Sequence, residues 1–190
     1  LTLHAHPNQH AGYFPGATAV HLVVHFDPIL GRIYGAQAVG RDGVDKRIDV
    51  LATAMRGGLS IDELIDLDLA YAPPYGAAKD PINMLGYAGE NVLTGQLALW
   101  HATEWEQVAA TSLLLDVRRR DEWEKVHVDG VLQIPHTELR ARLDEVREAA
   151  AGRPVRVYCQ SGVRSAIAHR ILTAAGFDSA SLSGGMLTIQ

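Results

Sequence analysis

The stretch Val155-Arg156-Val157-Tyr158-Cys159-Gln160-Ser161-Gly162-Val163-Arg164-Ser165 decides how the chain is read. Val155, Val157 and Tyr158 have the pattern of a buried strand end, and Ala166, Ile167, Ile171 and Leu172 then recur at helical spacing up to Gly176, a helix stop. Cys159, the one cysteine in 190 residues, therefore falls in a strand-to-helix turn. A thiol there faces unpaired backbone N–H groups and the positive end of the helix dipole, which favour thiolate over thiol. Gly162 permits positive φ, so the N–H groups of Gln160, Ser161, Gly162, Val163, Arg164 and Ser165 can curl toward one point, with Arg164 bracing the ring from its far side. Such a nest suits a cysteine that carries an extra, negatively charged sulfur.

Four residues lie between Cys159 and Arg164. Protein tyrosine phosphatases resemble this loop but have one residue more, a wider ring that suits phosphate; the shorter gap is similar to the rhodanese pattern. Working outward, Leu113 to Val117 is an apolar run suited to a buried parallel strand, a charged turn and a helix around Glu122 and Trp123 follow, and His127 to Pro135 gives another short strand. Leu139, Leu143 and Val146 mark the apolar face of a polar helix, and Arg153-Pro154 resets the chain into the cysteine strand. This alternation predicts a parallel sheet with helices on both faces and chemistry at the C-terminal strand ends. Asp116 and Arg118 read as supporting residues, the carboxylate tying loop amides or pairing with an arginine.

Residues 99–190 resemble a single rhodanese domain through Leu114-Leu115-Asp116-Val117-Arg118, His127 to Pro135, Cys159 to Ser165 and Leu182-Ser183-Gly184-Gly185. His127-Val128-Asp129-Gly130 departs from the family's usual His-Ile-Pro-Gly. The resemblance implies sulfur transfer through a Cys159 persulfide, with polysulfide, a persulfide, a coenzyme A persulfide or thiosulfate as donor. Gln160, Ser161 and Val163 bring no charge to the loop, which disfavours thiosulfate among these. The rivals are a catalytically silent dimerisation and docking module, and a phosphatase or arsenate-reductase activity on the same loop.

The first half is built differently. Leu1 to His6, Val20 to Phe26 and Ile33 to Val39 read as strands, the last two joined by the turn from Asp27 to Arg32, and they predict an antiparallel sheet. Val44, Ile48, Leu51, Ala52 and Met55 fall on one helical face closed by Gly57-Gly58. Ser60 and Glu63 have capping-box spacing for a second helix, and Asp80-Pro81 opens a third that runs to about Gly95. Strands followed by helices predict an α+β layer. The boundary falls near residue 96, giving domains 1–96 and 97–190.

His10 to Gly16, Gly35 to Asp49 and Ala70 to Met84 resemble the C-terminal dimerisation domain of pyridine-nucleotide disulfide oxidoreductases. Within that group the similarity is to coenzyme A-disulfide reductases and NADH-dependent persulfide or polysulfide reductases. The resemblance implies a homodimer in which Tyr13 and Tyr71 reach the partner's reductase site, and a full-length enzyme using FAD, NAD(P)H and coenzyme A. No Gly-x-Gly-x-x-Gly follows a strand in this sequence, so no cofactor is expected in the segment itself.

The formal net charge of −5 and pI near 6.0 argue against a nucleic-acid surface, since Arg118-Arg119-Arg120 is too short a basic run. No stretch approaches the ~20 apolar residues of a membrane span, and an exposed reactive thiol is best kept in a reducing compartment, so the expectation is a cytoplasmic protein. His4 and His6 share a strand face with His10 nearby, but no adjacent carboxylate or cysteine completes a metal site, and none is expected.

Overall fold

The computed structural model describes residues 1–189, and the chain divides into two compact units between Gly95 and Gln96. In the first, β1 (Thr2–Ala5), β2 (Val20–Phe26) and β3 (Ile33–Gly40) form an antiparallel sheet in that order. Strict alternation along β2 buries Val20, Leu22, Val24 and Phe26 on one face, as a strand covered on one side requires. At the hairpin tip the Asp27 carboxylate accepts the Ile29 and Leu30 amides and the Tyr34 hydroxyl. The Leu30 and Ile29 amides hold that carboxyl below its ordinary range.

Helices α1 (Val44–Gly57) and α2 (Pro81–Leu93) complete this unit. The start of α2 follows from its sequence: Asp80 accepts the Ile82 amide, Asn83 accepts the Asp80 amide, and Pro81 fills a position that needs no N–H. Gly86 lets α2 approach closely, because a Cβ there would lie 2.7 Å from the Ile65 nitrogen. Two expectations are corrected. Ser60 to Leu67 is a single 3-10 segment, Asp62–Asp66, instead of an α-helix; both donors of Ser60 turn to the Glu63 carboxylate. The buried face of α1 holds Arg47, Leu51 and Ala54 while Ala52 is exposed. Arg47 turns inward because its guanidinium bonds Asp80 at 2.7 Å and the Gln9 carbonyl at 2.6 Å.

The second unit runs β4 (Leu99–Trp100), α3 (Trp105–Thr111), β5 (Leu113–Asp116), α4 (Arg120–Lys125), β6 (Leu132–Gln133), α5 (Leu143–Ala150), β7 (Val155–Tyr158), α6 (Val163–Ala174) and β8 (Ser179–Leu182). Its sheet is parallel, in the order β4-β8-β7-β5-β6. Alternation sends Leu113, Leu115, Val155 and Val157 to a core with α5 and α6, and Leu114, Tyr158, Ala180 and Leu182 to one with Trp100 and Val108. Both faces are thus filled, as parallel sheets demand.

Three details differ from the sequence reading here. β4 is a strand of two residues, too short to register as a pattern, and is fixed by pairing with β8. The expected strand over 127–135 shrinks to Leu132–Gln133. Ile167, read as part of the inward face of α6, is 47% exposed. No helix among the described residues is long and apolar enough to cross a membrane.

Candidate functional site

The end of β7 delivers Cys159 to the N-terminus of α6, and Gly162, with φ of +94°, makes the intervening turn. That turn aims the Gly162 amide at the Cys159 Sγ, 3.2 Å away, and the Ser165 amide follows at 3.4 Å. The Ser165 Oγ stands 3.5 Å from the same sulfur. It donates to the Gly162 carbonyl at 3.0 Å and accepts from Ser181 on β8 at 2.8 Å. Both serines are sealed from water, so the hydroxyl pair fixes the floor of the loop.

Cys159 itself is fully buried, which corrects the expectation of an exposed thiol. The physical reason lies after β8. The Met186 and Leu187 amides donate to the Cys159 and Gln160 carbonyls at 2.9 and 3.1 Å. Gly184 and Gly185 pack backbone to backbone on the loop, and a Cβ on Gly185 would fall 2.5 Å from the Cys159 carbonyl oxygen. Gln160, Ser161 and Gly162 are half-buried and Val163 is exposed.

Arg164, at the start of α6, reaches outside the loop for its hydrogen-bond partner. Its two terminal nitrogens grip the Glu122 carboxylate on α4, Nη1 to Oε2 at 2.5 Å and Nη2 to Oε1 at 2.8 Å. A carboxylate within reach is a stronger partner for guanidinium than loop carbonyls, and the fork geometry suits it. Glu122 Oε2 also accepts the Arg119 amide at 3.1 Å. The bonds from Arg164 hold the Glu122 carboxyl down to about 2, and Glu122 together with the neighbouring cysteine keeps the Arg164 guanidinium above its ordinary value.

Asp116 and Arg118 form a second pair, fully enclosed. Arg118 Nη2 reaches Asp116 Oδ2 at 2.7 Å and the Val126 carbonyl at 2.8 Å, and Nε bridges both carboxylate oxygens. Burial disfavours the Arg118 charge, but its bonds to Asp116 outweigh that and leave it raised. Beside them, burial and then the Asp116 charge push the Tyr158 hydroxyl upward.

In the first unit, Tyr13 and Tyr71, 58 positions apart, bring their hydroxyls to 3.2 Å of each other on an exposed surface. That hydrogen bond raises Tyr71. His6 and His21 meet through their Nδ1 atoms at 2.9 Å, His10 bonds the Ala11 carbonyl, and no group of three or more His, Cys, Asp or Glu among the described residues could hold a metal. Sequence reading missed Glu122 and Ser181, because a contact across 42 residues or across strands leaves no local spacing signal. The role of Gly184 and Gly185 in closing the loop leaves no local signal either, because it depends on backbone contact with residues 159–162.

Residues 98–190 match the family described as rhodanese-like domain. A coenzyme A disulfide reductase of Staphylococcus haemolyticus is 54% identical over 83 residues, 44% of this chain and 19% of that protein. Among solved structures, reduced CoADR-RHD of Bacillus anthracis superposes with a TM-score of 0.95 at 40% identity, covering 100% of this chain and 34% of that one. The NAD-dependent persulfide reductase from A. fulgidus gives 0.86 at 39% identity over 98% of this chain and 33% of that one. The chain thus spans about a fifth of that curated relative and about a third of each solved relative.

Proposed function

We propose that this chain, which corresponds to the C-terminal part of a coenzyme A disulfide or persulfide reductase, transfers sulfane sulfur through a persulfide on Cys159. The observation that carries the reading is the convergence of the Gly162 and Ser165 amides on the Cys159 Sγ. Their positive dipole ends face any negative charge that sulfur acquires, and cost no reorganisation when it does. The Cys159 thiolate attacks the outer sulfur of a persulfide, polysulfide or coenzyme A persulfide, the donor's thiolate leaves, and the bound sulfur passes to an acceptor thiol. Because Cys159 is fully buried, loading includes an opening of the 184–186 segment that packs on its loop.

The first unit is, in the same reading, the dimerisation domain, residues 1–96, self-paired across a two-fold axis. Tyr13 and Tyr71 enter the partner's reductase site as a hydroxyl pair already joined. FAD and NAD(P)H bind elsewhere in the full-length, cytoplasmic enzyme. The strand-to-helix turn at Cys159 aims its Gly162 and Ser165 amides at the Sγ and has Gly184 and Gly185 packed on it, so this turn does not fit a dinucleotide pyrophosphate.

Brief incubation with polysulfide should raise the intact mass of the protein by one sulfur atom, and Cys159→Ser should show no addition. Sulfur transfer retained in the serine variant overturns the mechanism, and turnover of p-nitrophenyl phosphate by the parent moves the reading to the phosphatase class. Sedimentation should give twice the 20.6 kDa chain mass; a monomer at every concentration removes the self-pairing.

A further inference from the structure

The residues between Cys159 and Arg164 are all uncharged, so Arg164 is the one cation the loop itself offers a donor. Both of its terminal nitrogens are engaged by Glu122. Arg119 is gripped by Asp121 at 2.9 and 3.1 Å and stands farther, at 3.8 Å, from Glu122, and Arg118 is consumed by Asp116. Three guanidinium groups near the sulfur loop are thereby matched by three carboxylates. The pairing of Arg164 persists at neutral pH, since Glu122 titrates near 2.

We propose that Glu122 is a positioning and specificity-determining residue: by neutralising Arg164 at the lip of the loop, it turns the site toward donors that are uncharged or singly charged at the reacting sulfur and away from dianionic thiosulfate. The proposal rests on the sulfur-transfer reading and deepens it. With a hydropersulfide R–S–SH, the Cys159 thiolate bonds to the outer sulfur, the S–S bond breaks, R–S⁻ leaves with the electron pair, and the proton of the new Cys159 persulfide goes to solvent. With thiosulfate the same attack expels sulfite, which departs with two negative charges. The first route expels a leaving group with a single negative charge. The second needs a free cation there, and Glu122 occupies it.

Glu122 also fixes where that guanidinium stands. It ties α4 to the start of α6 while its Oε2 caps the Arg119 amide, so Arg164 cannot swing toward the sulfur without giving up a two-pronged, charge-assisted contact. Glu122→Gln is the informative substitution, because the amide oxygen still accepts from Arg164 while the counter-charge is gone.

The test loads the 190-residue chain with thiosulfate or with a small alkyl persulfide, following sulfur addition to Cys159 by intact mass at several donor concentrations. Each curve yields a half-saturating concentration and a limiting rate. In Glu122→Gln the preference for thiosulfate over persulfide should rise about tenfold, through half-saturation and not through the limiting rate, as expected when a charged lip concentrates an anion. Glu122→Asp should return the parent preference. An unchanged preference, or an equal loss with both donors that Asp does not rescue, overturns the proposal and leaves Glu122 a structural tie. A parent protein that neither donor loads overturns the sulfur-transfer reading itself, and this inference with it.

Discussion

The Asp116–Arg118 and Glu122–Arg164 pairs are made of the same chemical groups, at 2.7 Å and 2.5 Å, in the same unit. Their surroundings differ. The first is closed, with side chains 0% and 2% exposed, whereas the second keeps 22% and 23% of its side-chain surface open. An enclosed pair has surrendered its hydration and depends on its partner; a half-open pair can exchange its partner for water. The enclosed pair is therefore framework for the end of β5, and the open one is a setting that a substrate anion or a substitution can change.

The largest break in that contrast should come from Asp116→Asn. It leaves the Arg118 guanidinium buried without a counter-charge, and the expected loss is about 3–5 kcal/mol. All three tryptophans, Trp100, Trp105 and Trp123, lie in the second unit, so the urea midpoint of tryptophan fluorescence reads this unit alone. A loss below about 1 kcal/mol would place the pair in the class of open surface pairs and erase the distinction drawn from burial.

The same contrast explains what the sequence could reveal. Fold class followed from local periodicity: the alternation of β2, the apolar run of β5, the Asp80-Pro81 helix start and the cysteine turn each carry their signal within a few residues. The positive φ of Gly162 and the amides on Sγ are consequences of that same short stretch. Partners set by tertiary contact were not legible. The partner of Arg164, Glu122, lies 42 positions away on a six-residue helix. The burial of Arg47 was not legible either, because its partners, Asp80 and the Gln9 carbonyl, come from distant segments. The burial of Cys159 depends on glycines after β8, whose missing Cβ atoms matter only once the backbones touch.

The smaller effect is also the sharper test, because pH separates charge from packing at the open pair. Folded Glu122 titrates near 2 against an ordinary value of 4.5. Above 4.5 it is ionised in both folded and unfolded chains, and the pair contributes fully. As pH falls from 4.5 toward 2, the unfolded chain takes up the proton first and the contribution drains away. Below 2 both states are protonated and it is gone. At pH 7, Glu122→Gln should therefore cost no more than about 1 kcal/mol, the value of a pair partly open to water. Urea midpoints of parent and variant should converge as pH is lowered through that window, and added salt should narrow the gap at pH 7. A gap that stays constant from pH 7 to 2 would mean that Glu122 holds α4 against α6 by shape, in which case the two ion pairs would differ in size alone and not in kind.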